Sequence, residues 1–235
     1  MKYKPKDKSE LSKLLKDLIK ERGNRGNFND IDTSSITDMS ELFQMPDFNG
    51  DISEWNVSNV TNMGDMFDGA TSFNGNISSW NVSNVTNIVN MFYGATSFNQ
   101  DLSSWDVSNV TNMSAMFYTA TSFDQDLSSW DISNVTDMFR MFLGATSFNQ
   151  DLSSWDVSNV VDMHHMFYGA TSFNGNISSW NVSNVSNMSY MFWGATSFNQ
   201  DLSNWNVSNV KYMGCWLEGT PIKDKAKTWF PEFYI

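Results

Sequence analysis

The sequence has little cysteine, no long apolar run and no apolar stretch in its opening residues. Cys215 is the single cysteine, which excludes an intrachain disulfide and leaves the redox compartment open. No apolar segment approaches the ~18 residues that a membrane-spanning helix needs, so membrane insertion is not expected. The opening residues, MKYKPKDKSEL, lack the apolar stretch of a signal peptide, and we expect none in this sequence.

Basic residues are also scarce beyond the first segment. The formal net charge is −12, although residues 1–25 hold nine Lys or Arg against four Asp or Glu. Between Gln44 and Val210 the one basic residue is Arg140. Such a surface repels phosphate backbones, so nucleic acid is not an expected partner. The basic start is expected to be the solvated side of a helix.

What the sequence does contain is a repeat. Tryptophan recurs every 25 residues without slippage, at Trp55, Trp80, Trp105, Trp130, Trp155, Trp180 and Trp205. A period of this length is typical of solenoids, in which each unit buries its apolar side against its neighbours.

Each unit predicts two local structures. Leu102, Trp105 and Val107 fit the L-x-x-L-x-L core of a leucine-rich repeat and predict a short strand with Trp105 and Val107 facing inward. The apolar spacing that follows predicts the inner side of a short helix or 3-10 turn, at Val110, Met113, Met116, Phe117 and Ala120. The predicted fold is an α/β repeat solenoid with short strands on one side and short helical or 3-10 turns on the other.

The chain divides into three predicted parts. Residues 1–27 form an N-terminal helical cap, because the leucines of residues 7–22 follow one face of a helix and Gly23 can end it. Residues 28–215 form a solenoid of about eight coils. Residues 216–235 supply the apolar and aromatic side chains of a C-terminal cap.

Three positions vary strongly within the nearly constant unit: the two residues before Met-Phe and the one after it. Two explanations stay open for these positions. They are either a partner-binding surface or side chains that seal the outer face and drift freely. The candidate binding residues are Tyr93, Tyr118, Phe139, Arg140, Leu143, His164, His165, Tyr168, Tyr190 and Trp193.

Other kinds of site are less well supported. The repeated Ser104, Asp106 and Ser108 favour capping of turns over Ca²⁺ binding, and the adjacent His164 and His165 are poorly spaced to share a metal. A threonine ladder, from Thr71 to Thr196 in steps of 25, leaves open an ice-binding surface. No acid–base pair, activated nucleophile or phosphate loop is evident, so neither enzymatic activity nor a metal or cofactor is predicted.

The motif W-D-V-S-N-V-T-N-M…M-F-x-G-A-T-S-F-N-Q-D-L resembles that of the BspA-like leucine-rich-repeat bacterial surface proteins, in the branch with repeats of roughly 25–26 residues and no defined function. The resemblance covers approximately residues 28–215. It implies a right-handed solenoid at a cell surface or in a secreted protein, with adhesion or partner binding as its role. The family defines no binding residues that could be transferred to this chain.

The sequence therefore predicts a non-catalytic protein-interaction or adhesion module of a bacterial surface or secreted protein. Its expected partner is a protein or a host surface ligand, and the chain is expected to be a monomer. Numerous N-x-S/T sequons, such as those at Asn56 and Asn81, would expose the coils to glycosylation in a eukaryotic secretory route, which favours a bacterial origin. The alternative is a structural surface spacer with no specific ligand.

Overall fold

The computed structural model describes residues 1–233. Helix α1 spans Lys8–Arg22, helix α2 spans Lys223–Trp229, and a 3-10 helix follows at Pro231–Phe233. Between the two α-helices the chain runs in successive turns. Isolated parallel bridges join residues about one repeat apart, such as Asn62 to Asn87 and Asn187 to Tyr212, and the described residues contain no longer strand.

Helix α1 begins and ends as its sequence predicts. The Asp7 carboxylate accepts a hydrogen bond from the Glu10 N–H at 2.9 Å, and the Gly23 N–H donates to the Ile19 carbonyl at 2.8 Å. Gly23 has a φ of 76°, a conformation that glycine adopts without strain. The buried face consists of Leu11, Leu15 and Leu18, which belong to the same apolar cluster as the coils.

A bidentate ion pair ties α1 to the first coil. The Arg22 guanidinium donates to the two carboxylate oxygens of Asp30 at 2.7 and 2.9 Å. This contact holds the pKa of Asp30 below its ordinary value. Both side chains are partly exposed, so solvent weakens the ion pair. Its main effect is to orient the end of α1 against the first coil.

The main-chain ladder between coils lies where the apolar spacing predicts helical turns. The N–H groups of Met63, Asp65, Phe67 and Gly69 donate to carbonyls of the next coil at 2.7–2.9 Å. Positive φ at Asp65 (57°) and Gly69 (69°) interrupts the run of right-handed residues that a helix requires. Alternate N–H groups therefore point along the stack instead of back into a helix.

The expected strand at Trp105 and Val107 is absent. Trp105 donates its N–H to the Leu102 carbonyl at 3.0 Å, and Val110 donates to the Val107 carbonyl at 2.9 Å, so these N–H groups close turns within one coil. The Ser108 N–H is also taken, by the carboxylate of Asp106. Few backbone donors remain to pair with a neighbouring coil on this side.

Side chains make the contacts between coils there instead. The Trp105 indole Nε1 donates to the Ile77 carbonyl of the preceding coil at 3.2 Å. The Asn109 amide donates to the Ser83 carbonyl at 2.7 Å, and the Ser104 hydroxyl donates to the Ser78 carbonyl at 2.7 Å. The same contacts recur along the stack, which explains why the unit repeats Trp, Asn and Ser.

The core is a set of aromatic and methionine columns that run along the stack. Phe117 stacks on Phe92 and Phe142 with ring centroids 5.6 and 5.5 Å apart, and on Phe123 of its own coil at 4.0 Å. All four rings are fully buried. Burying each contributes about 1.5–3 kcal/mol, so every coil depends on its neighbours for stability.

Candidate interaction face

The three variable positions of the unit form adjacent columns on the side of the stack that carries the main-chain ladder. We call them the Gly64, Asp65 and Asp68 columns, and together the variable face. The Gly64 column continues with Val89, Ser114, Phe139, His164 and Ser189; the Asp65 column with Asn90, Ala115, Arg140, His165 and Tyr190; the Asp68 column with Tyr93, Tyr118, Leu143, Tyr168 and Trp193. Ring contacts join the columns, for example His165 to Tyr168 at 5.5 Å.

Every residue of the Asp65 column has a left-handed backbone. The φ values are 57° at Asp65, 57° at Arg140, 60° at His165 and 57° at Tyr190. Their N–H groups are fixed by the ladder, as when the Arg140 N–H donates to the His164 carbonyl at 3.1 Å. This conformation costs a residue other than glycine about 1–2 kcal/mol. Large side chains are therefore held in a strained column where glycine would fit without this backbone strain.

The Asp68 column is half-buried by its own stacking. Tyr93 and Tyr118 lie with ring centroids 4.1 Å apart and planes within 4° of parallel, and Tyr168 stacks on Trp193 at 4.6 Å. Burial, followed by the Tyr118 hydroxyl, raises the pKa of Tyr93. The most exposed rings of the variable face lie at its C-terminal end, where Tyr190 is 39% and Trp193 38% exposed.

Phe139, Arg140, His164 and His165 form one cluster on two successive coils. Phe139 stacks on His164 with centroids 3.9 Å apart, and the Arg140 guanidinium lies 4.5 Å from the Phe139 ring. The His164 Nδ1 lies 2.6 Å from the Asp162 carboxylate, which orients that ring. His165 stacks on Tyr190 at 5.0 Å.

This cluster contains the two buried side-chain nitrogens that lack a hydrogen-bond partner among the described residues, Arg140 Nε and His165 Nδ1. Burial lowers the pKa of His165, and the neighbouring His164 and Arg140 lower it further. His165 is therefore neutral near pH 7. No carboxylate within residues 1–233 forms an ion pair with Arg140.

The opposite end of the variable face is acidic. Asp65 accepts a hydrogen bond from the Asn90 amide at 2.9 Å, and Asp68 accepts a longer one from Gln44 at 3.3 Å. Burial raises the pKa of Asp68, and the negative charge of Asp65 adds to that effect. The face therefore changes from acidic to cationic and aromatic along the stack.

Comparison with known protein families identifies the family of this chain. A family model described as a Mycoplasma protein of unknown function, DUF285, matches residues 10–130 and again residues 119–229. The chain belongs to the DUF285 family. No curated protein matches the chain. Membership thus identifies a repeat family without naming an activity or a ligand.

Elsewhere in this DUF285 protein, the repeated Asp and Ser residues cap turns. Asp131 accepts hydrogen bonds from the Ser133 hydroxyl at 2.7 Å and from its N–H at 3.0 Å. These bonds lower the pKa of Asp131, the hydroxyl having the larger effect. Within residues 1–233 no three His, Cys, Asp or Glu side chains converge as a metal site would require.

The threonine ladder lies on the surface, and its hydroxyls donate along the stack to the preceding coil. The Thr96 hydroxyl donates to the Thr71 carbonyl at 3.3 Å, and the Thr86 hydroxyl of a second column donates to the Thr61 carbonyl at 3.2 Å. In each such pair of neighbouring coils, the threonine hydroxyl of the later coil is thus hydrogen-bonded to a backbone carbonyl of the earlier one. No helix within the described residues has the length and apolar character to cross a membrane.

The C-terminal end holds a cavity of about 320 Å³ that the sequence does not reveal. It lies between the last coil and the residues around α2, and its lining includes Cys215, Trp216 and Phe233. The Cys215 thiol is exposed. Glu218 and Lys223 form an ion pair at its edge, with a separation of 2.6 Å.

Proposed function

We propose that this DUF285 chain is a non-catalytic protein-interaction or adhesion module of a bacterial surface or secreted protein, and that it binds through the variable face. The observation that carries the proposal is the concentration of the strongest variation between coils in three adjacent columns. The phenylalanine and tryptophan columns of the core keep one residue type from coil to coil. Exposed aromatic side chains beside a charged group are frequent features of protein-binding surfaces.

The strained backbone supports the same proposal. Arg140, His165 and Tyr190 occupy left-handed positions at a cost that glycine or asparagine would largely avoid. Strain of this kind tends to persist where side chains serve a function. A face whose residues had drifted without constraint would favour glycine there.

The closer relationship to BspA-like leucine-rich-repeat surface proteins is part of the proposal. The 25-residue unit and the Leu102, Trp105 and Val107 spacing support it. The turns at Trp105 differ from the strand usual in a leucine-rich repeat, and a backbone ladder on the variable face takes its place. A surface location is proposed on this relationship.

A purely structural spacer is the second candidate function. The observation in its favour is the stacking of Tyr93 on Tyr118 and of Tyr168 on Trp193, since stacked rings stabilise neighbouring coils without any ligand. The two functions differ in what they predict for the exposed Tyr190 and Trp193. A spacer tolerates their replacement, whereas a binding module loses its partner.

The test is capture of proteins from host extracellular-matrix and cell-surface extracts. The wild type is compared with a Tyr190→Ser, Trp193→Ser variant and with Val161→Thr as the matched control. Val161 is 47% exposed, lies outside the variable face, and its replacement matches the threonine of Thr136 one coil before. Retention of the folded state is checked by thermal melting.

A partner captured by the wild type and the control, and lost from the double variant, supports the binding module. Equal capture by all three proteins would exclude the exposed end of the variable face. Absence of capture by any of them would favour the spacer.

A further inference from the structure

The variable face carries one arginine whose charge the chain itself does not neutralise. Between Gln44 and Val210 the one basic residue is Arg140, whereas carboxylates recur in most coils. Even so, its guanidinium forms no ion pair within residues 1–233. Its Nε is buried and has no hydrogen-bond partner among the same residues. The guanidinium is thus partly removed from water without receiving a counter-charge in exchange.

A chain of contacts holds this guanidinium in place. It lies 4.5 Å from the Phe139 ring, and Phe139 stacks on His164 with centroids 3.9 Å apart. The His164 Nδ1 is in turn fixed by the Asp162 carboxylate at 2.6 Å. The backbone of Arg140 is held by its own N–H, which donates to the His164 carbonyl at 3.1 Å. A guanidinium that is already positioned loses little conformational freedom when it binds a partner.

The surroundings of Arg140 suit a ligand with a single negative charge. His165 is neutral near pH 7 and His164 is engaged by Asp162, so the cluster offers no second free cation. A phosphate would bring more negative charge than one guanidinium balances, and the acidic coils would repel the excess. A carboxylate carries one charge, and its two oxygens match the planar N–H groups of a guanidinium.

Exposed aromatic rings lie two coils further along the same face. Tyr190 is in the column of Arg140, Trp193 is in the neighbouring column, and these rings are 39% and 38% exposed. Coils joined by main-chain hydrogen bonds are about 4.8 Å apart, so two coils span about 10 Å. An extended peptide rises about 3.3 Å per residue, so an acidic and an apolar side chain within about four residues of each other can reach both places.

We propose that Arg140 binds an aspartate or glutamate side chain of a partner protein, in an extended segment whose neighbouring apolar side chain packs on Tyr190 and Trp193. The proposal rests on the proposed function, because it names the chemistry of the partner that the variable face receives. Elsewhere on the coils the same carboxylate meets aspartates or uncharged side chains. Arg140 therefore also fixes the position at which the segment binds.

The test begins with random peptides displayed on phage and selected on the wild-type protein. The expected result is enrichment of peptides that carry an Asp or Glu within about four residues of an aromatic or aliphatic residue. An enriched peptide is then synthesised in two forms, one with its acidic residue and one with the corresponding amide, Asn or Gln. Calorimetric titration measures the affinity of both forms for the wild type, for Arg140→Gln and for Arg25→Gln.

Arg25→Gln is the matched control for the change in net charge. Arg25 is exposed, lies outside the variable face and forms no ion pair within the described residues. Arg140→Gln and the acid-to-amide change in the peptide should each weaken binding about tenfold or more. The two changes together should cost little more than either alone, because both remove the same contact. Arg25→Gln should leave the affinity unchanged, and thermal melting confirms that each variant is folded.

Enriched peptides without an acidic residue, losses that add independently when the two changes are combined, or failure to enrich any peptide would overturn the proposal. If peptides without an acidic residue bind and lose their binding in the Tyr190→Ser, Trp193→Ser variant, the proposed function stands while this inference falls. Binding of heparin that Arg140→Gln abolishes, with no peptide enriched, would also overturn it and assign the site to a sulfated glycan.

Discussion

Replacing Trp130 by phenylalanine is expected to destabilise the stack by removing a link that the backbone does not supply. Trp130 is 3% exposed, and its indole Nε1 donates to the Leu102 carbonyl of the preceding coil at 2.9 Å. Trp155 makes the same contact to Leu127 at 2.9 Å. Because main-chain N–H groups on this side close turns within each coil, the indole is the main buried polar contact between coils there.

The expected cost of Trp130→Phe has two components. The Leu102 carbonyl keeps its bond from the Trp105 N–H at 3.0 Å, so loss of the indole leaves no orphaned acceptor and costs about 0.5–1.5 kcal/mol. Removal of the second ring deletes buried contacts and leaves a cavity, which adds about 1–2 kcal/mol. The free energy of unfolding should therefore fall by about 1.5–3.5 kcal/mol, a large share of the ~5–15 kcal/mol typical of a domain.

Equilibrium unfolding in urea measures this change, with Ser129→Ala as the matched control. The Ser129 hydroxyl also donates to the preceding coil, to the Ser103 carbonyl at 2.6 Å, but it is exposed and its loss should cost no more than about 0.5 kcal/mol. A cost below about 1 kcal/mol for Trp130→Phe, or equal costs for the two variants, would refute the assignment of the stacking energy to the indole.

Three further outcomes are expected. Thr119 has a φ of 49°, which strains a residue other than glycine, and glycine's extra chain entropy offsets only part of that strain. Thr119→Gly should therefore raise the free energy of unfolding by about 0.5–1 kcal/mol. Gly94→Ala should lower it by about the same amount, because Gly94 has a φ of 66°. Because the pKa of Asp131 is held below its usual 3.8, its stabilising contribution is complete above that pH and is lost as the pH falls through the folded value. The melting temperature, measured from about pH 5 to pH 2, should therefore fall, and less steeply in Ser133→Ala. The exposed Cys215 should react with a thiol reagent in the native protein, one equivalent per chain.

The repeat and its inward residues can be read directly from the sequence. Helix α1 over Lys8–Arg22 agrees with the leucine pattern of residues 7–22, and Trp105, Val107, Met113 and Phe117 are all buried as expected. Apolar spacing reports which side chains face the core, and the structure agrees with it at these positions. It does not report where each N–H group points, because that depends on φ.

This limit accounts for the displaced ladder. Glycine at position 69 signals a left-handed residue, but Asp65 and its equivalents give no such signal, since Arg140 and His165 are unfavourable there. With both positions left-handed, the segment cannot be helical and its N–H groups point to the next coil. The variable positions themselves could be located from sequence, whereas the contact of His164 with Asp162 and the stacking of Phe139 on His164 depend on this geometry.

The same geometry explains why the strongest variation between coils lies on the variable face. Coils on the opposite side are joined through the side chains of Trp, Asn and Ser, so replacing any of these removes a contact between coils. On the variable face the N–H and carbonyl groups make those contacts, for example from the His165 N–H to the Ser189 carbonyl at 3.0 Å. A backbone ladder survives a change of side chain. Residues 64, 65 and 68 and their equivalents can therefore diverge from coil to coil while the stack is preserved, which is the property that a surface needs if it is to acquire a partner.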